Sequence, residues 1–454
     1  MRPVVLPILC HNSDTILFSE LGVSYNYNNL DEVEFMFFNI DFACGNVKDG
    51  MHLTEIVVND EAYVVNMPFD KFKNIFIYWQ MHDVMRARLP LASAKKDHTK
   101  KALTSIHLNQ RNIVDKDAKM IQVLGITQKM SGCGWHRVML PLAFLPDSYN
   151  HVCNVPTKEI LEERQFEILL YNRFSQFDTD WDETKQHFKV VMDLDDDWEL
   201  PYNHPLYHGY EAHKKRIINN IFNADLVTCT NERIADKVSK YNKKVLVLPN
   251  CIPYGEHQYD DSKYESDKTR IFWAGGSTHL EDIKLLANPF KRLNALQNIE
   301  MVLGGYTDTD PVSKSYWDKV HSMFTNGGKL PNRKLASELP SNYMEHFKHA
   351  DIMVVPLQES PWHASKSNLK LLEAAAKRVA VVVSDVEPYN LDKDAPVLWV
   401  KSQSDWFKHI SYLVNNPEER IKMGNNLFEW AKSKYNHERI NETRRQAFAD
   451  LIKA

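Results

Sequence analysis

KSNLKLLEAAAKRVAVVVSDVEPY, residues 366–389, reads as a helix, a short turn, a buried strand and a loop that carries a carboxylate. Leu369, Leu372 and Ala376 fall at helical spacing, and Ala380 to Val383 form a short apolar run of the kind a parallel sheet buries on both faces. Lys366 sits in or just before the first turn of that helix, and Lys370 lies one turn later on the same face. Cations are disfavoured there, because unpaired N–H groups and the macrodipole already make a helix N-terminus positive. Two lysines fit that position when an anion such as a phosphate occupies it. Glu373 lies too deep in the helix to cap it, but its carboxylate could accept from the vicinal hydroxyls of a sugar. An anion, a polyol and a loop at a strand's carboxyl end together point to a nucleotide-sugar site. The plainer alternative is an amphipathic helix with two surface lysines and a surface glutamate.

Working outward, strands alternate with helices on both sides of this stretch. RIFWAGG, IEMVLGGY, ADIMVVPL, AVVVSD and PVLWV read as strands of one α/β half. MIQVLGIT, FEILLYN, FKVVMDLDD, ADLVTCT and KKVLVLPN read as strands of another, with helices over His213 to Asn223 and Glu232 to Tyr241. Such alternation indicates parallel sheets covered by helices. The polar run YGEHQYDDSKYESDK, from Tyr254 to Lys268, reads as the linker between the halves, and the chain from Pro417 onward reads as charged helix. Before residue 80, TILFSELGVSY, EVEFMFFNIDF and TEIVVNDEAYVVNM read as strands, with Asn59-Asp60 as a hairpin turn. Asp70 to Trp79 reads as a short helix followed by a strand end.

The chain has 454 residues, so two or three domains are expected. Charged residues make up 25% and hydrophobic ones 43%, as in ordinary globular proteins, which leaves ample apolar surface for large cores. A net charge of -5 gives no global attraction to nucleic acid or anionic membrane. One local exception is the connector with Arg86, Arg88, Lys95, Lys96, Lys100 and Lys101, which would suit a polyanion or merely solvate a linker. Six cysteines are scattered without C-x-x-C or zinc-ligand spacing, which favours a reducing cytoplasm. No apolar run reaches the length of a membrane span, and the first residues read as a strand, not a signal peptide.

Three constellations stand at strand ends. Gly275-Gly276-Ser277-Thr278 follows RIFWA and opens a helix, with Thr278 and Glu281 as a capping box; its glycines allow close backbone approach to a phosphate. Gly132-Cys133-Gly134-Trp135-His136-Arg137 reads as a glycine loop at the first strand of the other half. There Arg137 would meet a phosphate or an acceptor, and His136 a sugar hydroxyl; a structural turn is the alternative. Arg173, after FEILLYN, belongs to the same cleft side. Asp193, Asp195, Asp196 and Asp197 crowd the end of FKVVM, where mutual repulsion should raise the pKa of some members. They could hold sugar hydroxyls, act as a base or bind a cation. No metal site is assigned, for want of a His or Glu partner at ligand spacing.

The order of these parts resembles the GT-B glycosyltransferases, specifically the large retaining family whose second domain carries a Glu-x7-Glu motif. GCGWHR, ADLVTCTNERIADKV, VLPNCI, GGSTHLEDI and ADIMVVPL…KSNLKLLEAAA…VVVSDVEPY carry the resemblance, over residues 118–454. It implies two Rossmann-like domains facing across a cleft, at 118–253 (acceptor side) and 254–430 (nucleotide sugar); the β-rich module and basic connector read from the sequence over 1–117 precede them. A C-terminal helix over 431–454 would return to the first domain. Glu373 would meet the ribose, Ser367, Asn368 and Leu369 would cradle the diphosphate, and Gly132 and Gly134 would close over the donor. Two departures change what can be carried over. Ser365 stands where the motif's first glutamate belongs, and Lys366, Ser367 and Asn368 stand where the family has glycines. Asp195 and Asp196 stand where the family often has a histidine, in a version similar to a subgroup of phage and bacterial genomes.

The expectation is a glycosyltransferase, hexosyl or pentosyl, that is metal-independent and retaining by resemblance. Asp195, Asp196 and Lys366 would be catalytic, and Gly275, Gly276, Ser277, Ser365, Lys370 and Glu373 would bind the donor. The acceptor would be a glycan of the cell envelope or a hydroxymethylated base in double-stranded phage DNA. A nucleotide-sugar epimerase or hydrolase, and a non-catalytic nucleotide-sugar-binding protein, are the competing readings.

Overall fold

The computed structural model describes seven strand segments between residues 6 and 68, and residues 120–127, 131–153, 166–174, 181–202, 207, 210–276, 279–307 and 311–453. The chain divides into two compact units, residues 1–130 with 138–170, and residues 131–137 with 171–454.

In the first unit, β1 (Leu6–Leu9), β2 (Thr15–Ser19), β3 (Gly22–Tyr27) and β4 (Asp31–Met36) form an antiparallel sheet in that order. TILFSELGVSY is therefore a hairpin, with Ser19 opposite Gly22, where a single strand was expected. β5 (Val47–Lys48), β6 (His52–Val58) and β7 (Glu61–Pro68) form a second antiparallel sheet. The arms of the expected hairpin pair with Val58 opposite Glu61; the turn Asn59-Asp60 itself lies outside the described residues, as do the helix expected over 70–79 and the basic connector. β8 (Ile121–Ile126) and β9 (Ser148–Cys153) then pair in parallel. β10 (Ile168–Asn172) is the strand in which the division into units falls.

The second unit holds β11 (Lys189–Leu194), β12 (Leu226–Cys229) and β13 (Val245–Val247), paired in parallel. Helices α1 (Glu211–Asn223) and α2 (Glu232–Val238) connect them. It also holds a six-stranded parallel sheet of β14 (Thr269–Ala274), β15 (Ile299–Tyr306), β16 (Asn332–Ala336), β17 (Ile352–Val355), β18 (Ala380–Ser384) and β19 (Leu398–Val400). Its spatial order is β16-β15-β14-β17-β18-β19. The chain runs outward from β14 to β16, returns beside β14 and runs outward again the other way. The direction of winding thus reverses between β14 and β17, which is where open α/β sheets bind ligands, outside the carboxyl ends of the strands.

The sheet is covered by α3 (Leu280–Ala287), α4 (Pro311–Phe324), α5 (Leu369–Ala376), α6 (Gln403–Asn415) and α7 (Pro417–Lys434). β17 and β18 are buried at every position, as their unbroken apolar runs require. Ile283, Leu286, Phe290, Trp317, Phe324 and Trp406 fill the space between one helical layer and the sheet. α5 ends at Arg378 in the left-handed region (φ 49°), and α7 crosses there through Gly424, where a Cβ would lie 2.1 Å from the Arg378 carbonyl oxygen. Only glycine fits that crossing. α8 (His437–Lys453) follows a break at Asn436, which bridges to Ile252, and Ile440 packs on Leu248 and Cys251 below β13.

The segment Tyr254 to Lys268, expected as a polar linker, is pinned down. The Tyr259 hydroxyl, on a residue only 2% exposed, accepts from Trp135 Nε1 at 2.8 Å. The Tyr254 hydroxyl donates to the Leu372 carbonyl at 3.2 Å, and Asp260 accepts from the buried ammonium of Lys377 at 2.5 Å.

Candidate active site

The tip of β11 builds one side of the site. Each of its four aspartates meets a cation: Asp193 meets Arg137, Asp195 and Asp196 share Arg173, and Asp197 meets Lys237. Asp193 is sealed: Arg137 Nε and one terminal nitrogen each donate to it at 2.9 Å, and the Thr228 hydroxyl donates at 2.7 Å. Arg137 is buried, and its other terminal nitrogen donates to Asn250 Oδ1 at 2.9 Å. Burial works against the guanidinium's charge, but Asp193 outweighs it and raises the Arg137 pKa. Arg137, expected to meet a phosphate or an acceptor, is therefore a buried fastener of β11. The reason is burial at the strand end: Asp193 is sealed from water and needs a cation there.

Asp195 accepts from Arg173 at 2.9 and 3.1 Å and from Asn172 at 3.2 Å. Burial alone would raise its pKa, yet the Arg173 guanidinium and hydrogen bonds from Cys133 and Asn172 hold it well below the ordinary carboxylate range. The expectation of a raised pKa fails for this member, because attraction to Arg173 exceeds repulsion among the acids. Arg173 itself sits at φ 63°, with its carbonyl held by the buried Asn220 amide at 3.0 Å. That left-handed backbone is sustained by its surroundings.

Asp196 and Asp197 reach the 365–368 segment. Lys366 Nζ lies 3.2 Å from Asp196 Oδ1, and Arg173 lies 3.4 Å from Asp196 Oδ2. Asp197 accepts from Lys237 at 2.5 Å and from the Ser365 hydroxyl at 3.3 Å. Two asparagines add to this. Asn231 caps α2 through its Oδ1 and donates from Nδ2 to the carbonyls of Ser365 and Lys366 at 2.9 and 3.2 Å. Asn250 donates to the Ser367 hydroxyl at 2.8 Å.

The 365–368 segment follows a short helix, Pro361–Ala364, and leads into α5, whose first turn has no side-chain cap. Asn368 donates to Asp392 at 2.6 Å, an acid that also accepts from Tyr435 and pairs with Lys434. Leu369 starts α5. Lys366 stands 3.9 Å above the Trp362 ring, a cation–π contact, and is 18% exposed at its side chain. Lys370 turns from the helix start to Glu373, at 2.8 Å, and to the Tyr343 hydroxyl, also at 2.8 Å. Glu373 is 2% exposed, and His136 Nε2 lies 3.6 Å from its other oxygen. Burial would raise the Glu373 pKa, but Lys370 and His136 bring it below the ordinary value. A ligand hydroxyl would thus share this carboxylate with Lys370 or His136.

SGCGWHR is helical, not a loop. Ser131 caps the turn Gly132–Gly134, which runs on as a π-helical segment, Trp135–Met139. The short Ser131 cap and the large buried Trp135 favour helix over the extended turn that two glycines suggested. Gly132 is exposed, with open space where a Cβ would stand, and His136 Nδ1 is buried without a hydrogen-bond partner. Gly275 and Gly276 do leave the carboxyl end of β14; Ser277 and Thr278 lie outside the described residues, and α3 follows His279 without a side-chain cap. Close packing is real here, since a Cβ on Gly305 would stand 3.1 Å from the Gly275 carbonyl oxygen.

Sequence reasoning missed a histidine pair beside this loop. Asp282, buried, accepts from His279 Nδ1 at 2.8 Å and lies 3.6 Å from His363 Nε2, while the Ser360 hydroxyl meets His363 Nδ1 at 2.8 Å. Burial, then Lys366 and His279, lower the His363 pKa against the pull of Asp282. The only signal was a His three residues before Asp282, which falls at helical spacing. Among the described residues no group of three or more His, Cys, Asp or Glu side chains is arranged to hold a metal ion, and no helix is long and apolar enough to cross a membrane.

No protein-family model matches the chain, and no curated protein matches it in sequence. Solved structures do match in fold. A glycosyltransferase from Rickettsia africae is 9% identical, with a TM-score of 0.53 over 74% of this chain and 100% of that one. Anabaena HepE, solved in complex with UDP, is 11% identical, with a TM-score of 0.52 over 73% of this chain and 100% of its own. Sucrose-phosphate synthase from Thermosynechococcus elongatus is 13% identical, with a TM-score of 0.50 over 63% and 74%. The fold is therefore the α/β architecture of GT-B glycosyltransferases.

Proposed function

We propose that the chain transfers a sugar from a nucleotide-sugar donor to an acceptor hydroxyl. One observation carries this reading: at the reversal point of the β14–β19 sheet, the uncapped start of α5 and the part-exposed Lys366 form a positive end beside the buried carboxylate Glu373. A diphosphate suits the first two and a ribose suits the third. HepE, a fold neighbour, was solved with UDP, which supports a nucleotide as the ligand class.

In this reading the glycosidic C–O bond to the diphosphate breaks as the acceptor oxygen bonds to the anomeric carbon. The diphosphate leaves with the electron pair, and the acceptor hydroxyl's proton passes to the leaving diphosphate oxygen. The N–H groups of α5 and the Lys366 ammonium stabilise the charge on the leaving oxygen as fixed electrostatics. Asp195, held ionised by Arg173, and Asp196 supply negative charge for an oxocarbenium-like sugar. Both are spoken for by cations in this structure, which suits electrostatic support better than proton abstraction. Retention follows the family resemblance, and a divalent metal is not needed when the protein neutralises the diphosphate. The acceptor is a glycan or, given the basic connector in the sequence, a hydroxymethylated base in DNA.

A panel of nucleotide sugars, read by nucleoside diphosphate release and by thermal stabilisation, tests the proposal. One donor should raise the melting temperature and yield its diphosphate, faster with a matching acceptor among glycans and hydroxymethylated DNA. No stabilisation and no release with any donor would refute it.

A further inference from the structure

The four groups Lys366, Asp196, Arg173 and Asp195 form one alternating row of charges. Lys366 Nζ reaches Asp196 at 3.2 and 3.4 Å; Arg173 reaches Asp196 at 3.4 Å and Asp195 at 2.9 Å. Asp196 is the one carboxylate of the β11 tip placed between two cations. It is also the most open member of the row, at 25% exposure against 22% for Arg173, 18% for Lys366 and 12% for Asp195. Asp193 and Asp197, each 2% exposed at the side chain, have no such freedom.

We propose that Asp196 sets the affinity for the donor's diphosphate, by occupying Lys366 when the site is empty and yielding it when the anion binds. The inference rests on the diphosphate reading of the Lys366 site. Three features make the exchange feasible. First, Asp196 keeps a partner after Lys366 leaves, because Arg173 already touches its second oxygen. Second, the Trp362 face under the ammonium, 3.9 Å away, favours the cation without fixing which anion it meets. Third, the backbone of residues 365 and 366 is held by Asn231, so the lysine can swing while its loop stays in place. A carboxylate on Lys366 is thus an internal competitor of a phosphate. Once released, Asp196 stays on Arg173 beside Asp195, and these three groups carry a net charge of -1 on the side where a cationic sugar would form.

Titration calorimetry with inorganic pyrophosphate and with UDP, GDP, ADP and dTDP tests this on the full chain. Asp196→Asn should tighten pyrophosphate and the preferred nucleotide by roughly twofold to tenfold, the scale of a part-exposed ion pair. In a Lys366→Ala background, which should itself weaken binding, the same substitution should change nothing. Glu429→Gln, which removes an exposed charge on α7, controls for net charge and should leave affinity as it was. Unchanged or weaker binding in Asp196→Asn, or an equal gain without Lys366, would overturn the proposal while leaving the diphosphate site standing. If neither pyrophosphate nor any nucleotide binds the unaltered chain, the diphosphate reading falls and the competitor role falls with it.

Discussion

Asp193 and Asp196 stand three positions apart, and both end on a cation, yet they belong to different kinds of place. At the root of the β11 tip, Asp193 and Arg137 are exposed by only 2% and 1%. At the crest, Asp196 and Lys366 keep a quarter and almost a fifth of their surface in water. A sealed pair is costly to break, because removing one partner strands a charge in a low-dielectric interior. An open pair is replaceable, because water or a ligand can take either place. The same two residue types thus make architecture at one level and a binding surface at the next, and exposure decides between them.

The largest effect should come from the root. Arg137→Ala leaves Asp193 buried with only Thr228 and Asn172 to meet it, and should lower folding stability by about 3–5 kcal/mol in urea denaturation. Lys366→Ala should leave the urea midpoint nearly unchanged. Equal midpoint shifts in the two variants would erase the contrast.

Glu373 stands between these extremes, buried like the root but aimed at the ligand side. Glu373→Gln should weaken nucleotide-sugar affinity by about 1.5–3 kcal/mol, the scale of a hydrogen bond to a charged group. Because Lys370 loses its carboxylate, the melting temperature should also fall. A variant that loses stability but binds normally would make Glu373 architecture alone.

Acid should act more gently. The Asp195 pKa is depressed in the folded state, so its contribution to stability is complete above the ordinary aspartate value of about 4 and is lost as pH falls below that. Asp195→Asn should therefore flatten the fall in stability below about pH 4 while leaving the pH 5–8 range level. An acid limb of unchanged steepness would show that Arg173 does not hold Asp195 ionised. The smallest effect is expected from chelation: turnover in EDTA should match turnover in magnesium. Activity abolished by EDTA and restored by magnesium or manganese would move the crest aspartates to a metal-holding role.

The strands that carry continuous apolar runs were legible in the sequence, β17 and β18 most clearly, because burial on both faces leaves no polar position to blur them. β16 was not, since it alternates exposed and half-buried residues in NRKLA at the edge of its sheet and carries almost no apolar signal. The helix start at 366–369 and its acid at Glu373 were legible as local spacing. Their partners were not. Asp196 and Lys366 lie 170 positions apart, and Asn231 and Ser365 lie 134 apart. No periodicity links such residues; only the folded strand ends bring them together. For the same reason the sequence could not tell Arg137, a buried fastener, from Lys366, an open cation.

Calorimetric titration of the preferred nucleotide sugar into the unaltered chain, Lys366→Ala and Arg173→Ala reads out where the donor sits. A diphosphate on the α5 start predicts at least about a tenfold loss of affinity in Lys366→Ala, as for a lost charge-assisted hydrogen bond, and a much smaller change in Arg173→Ala. Full affinity without Lys366 would place the donor elsewhere and contradict the account.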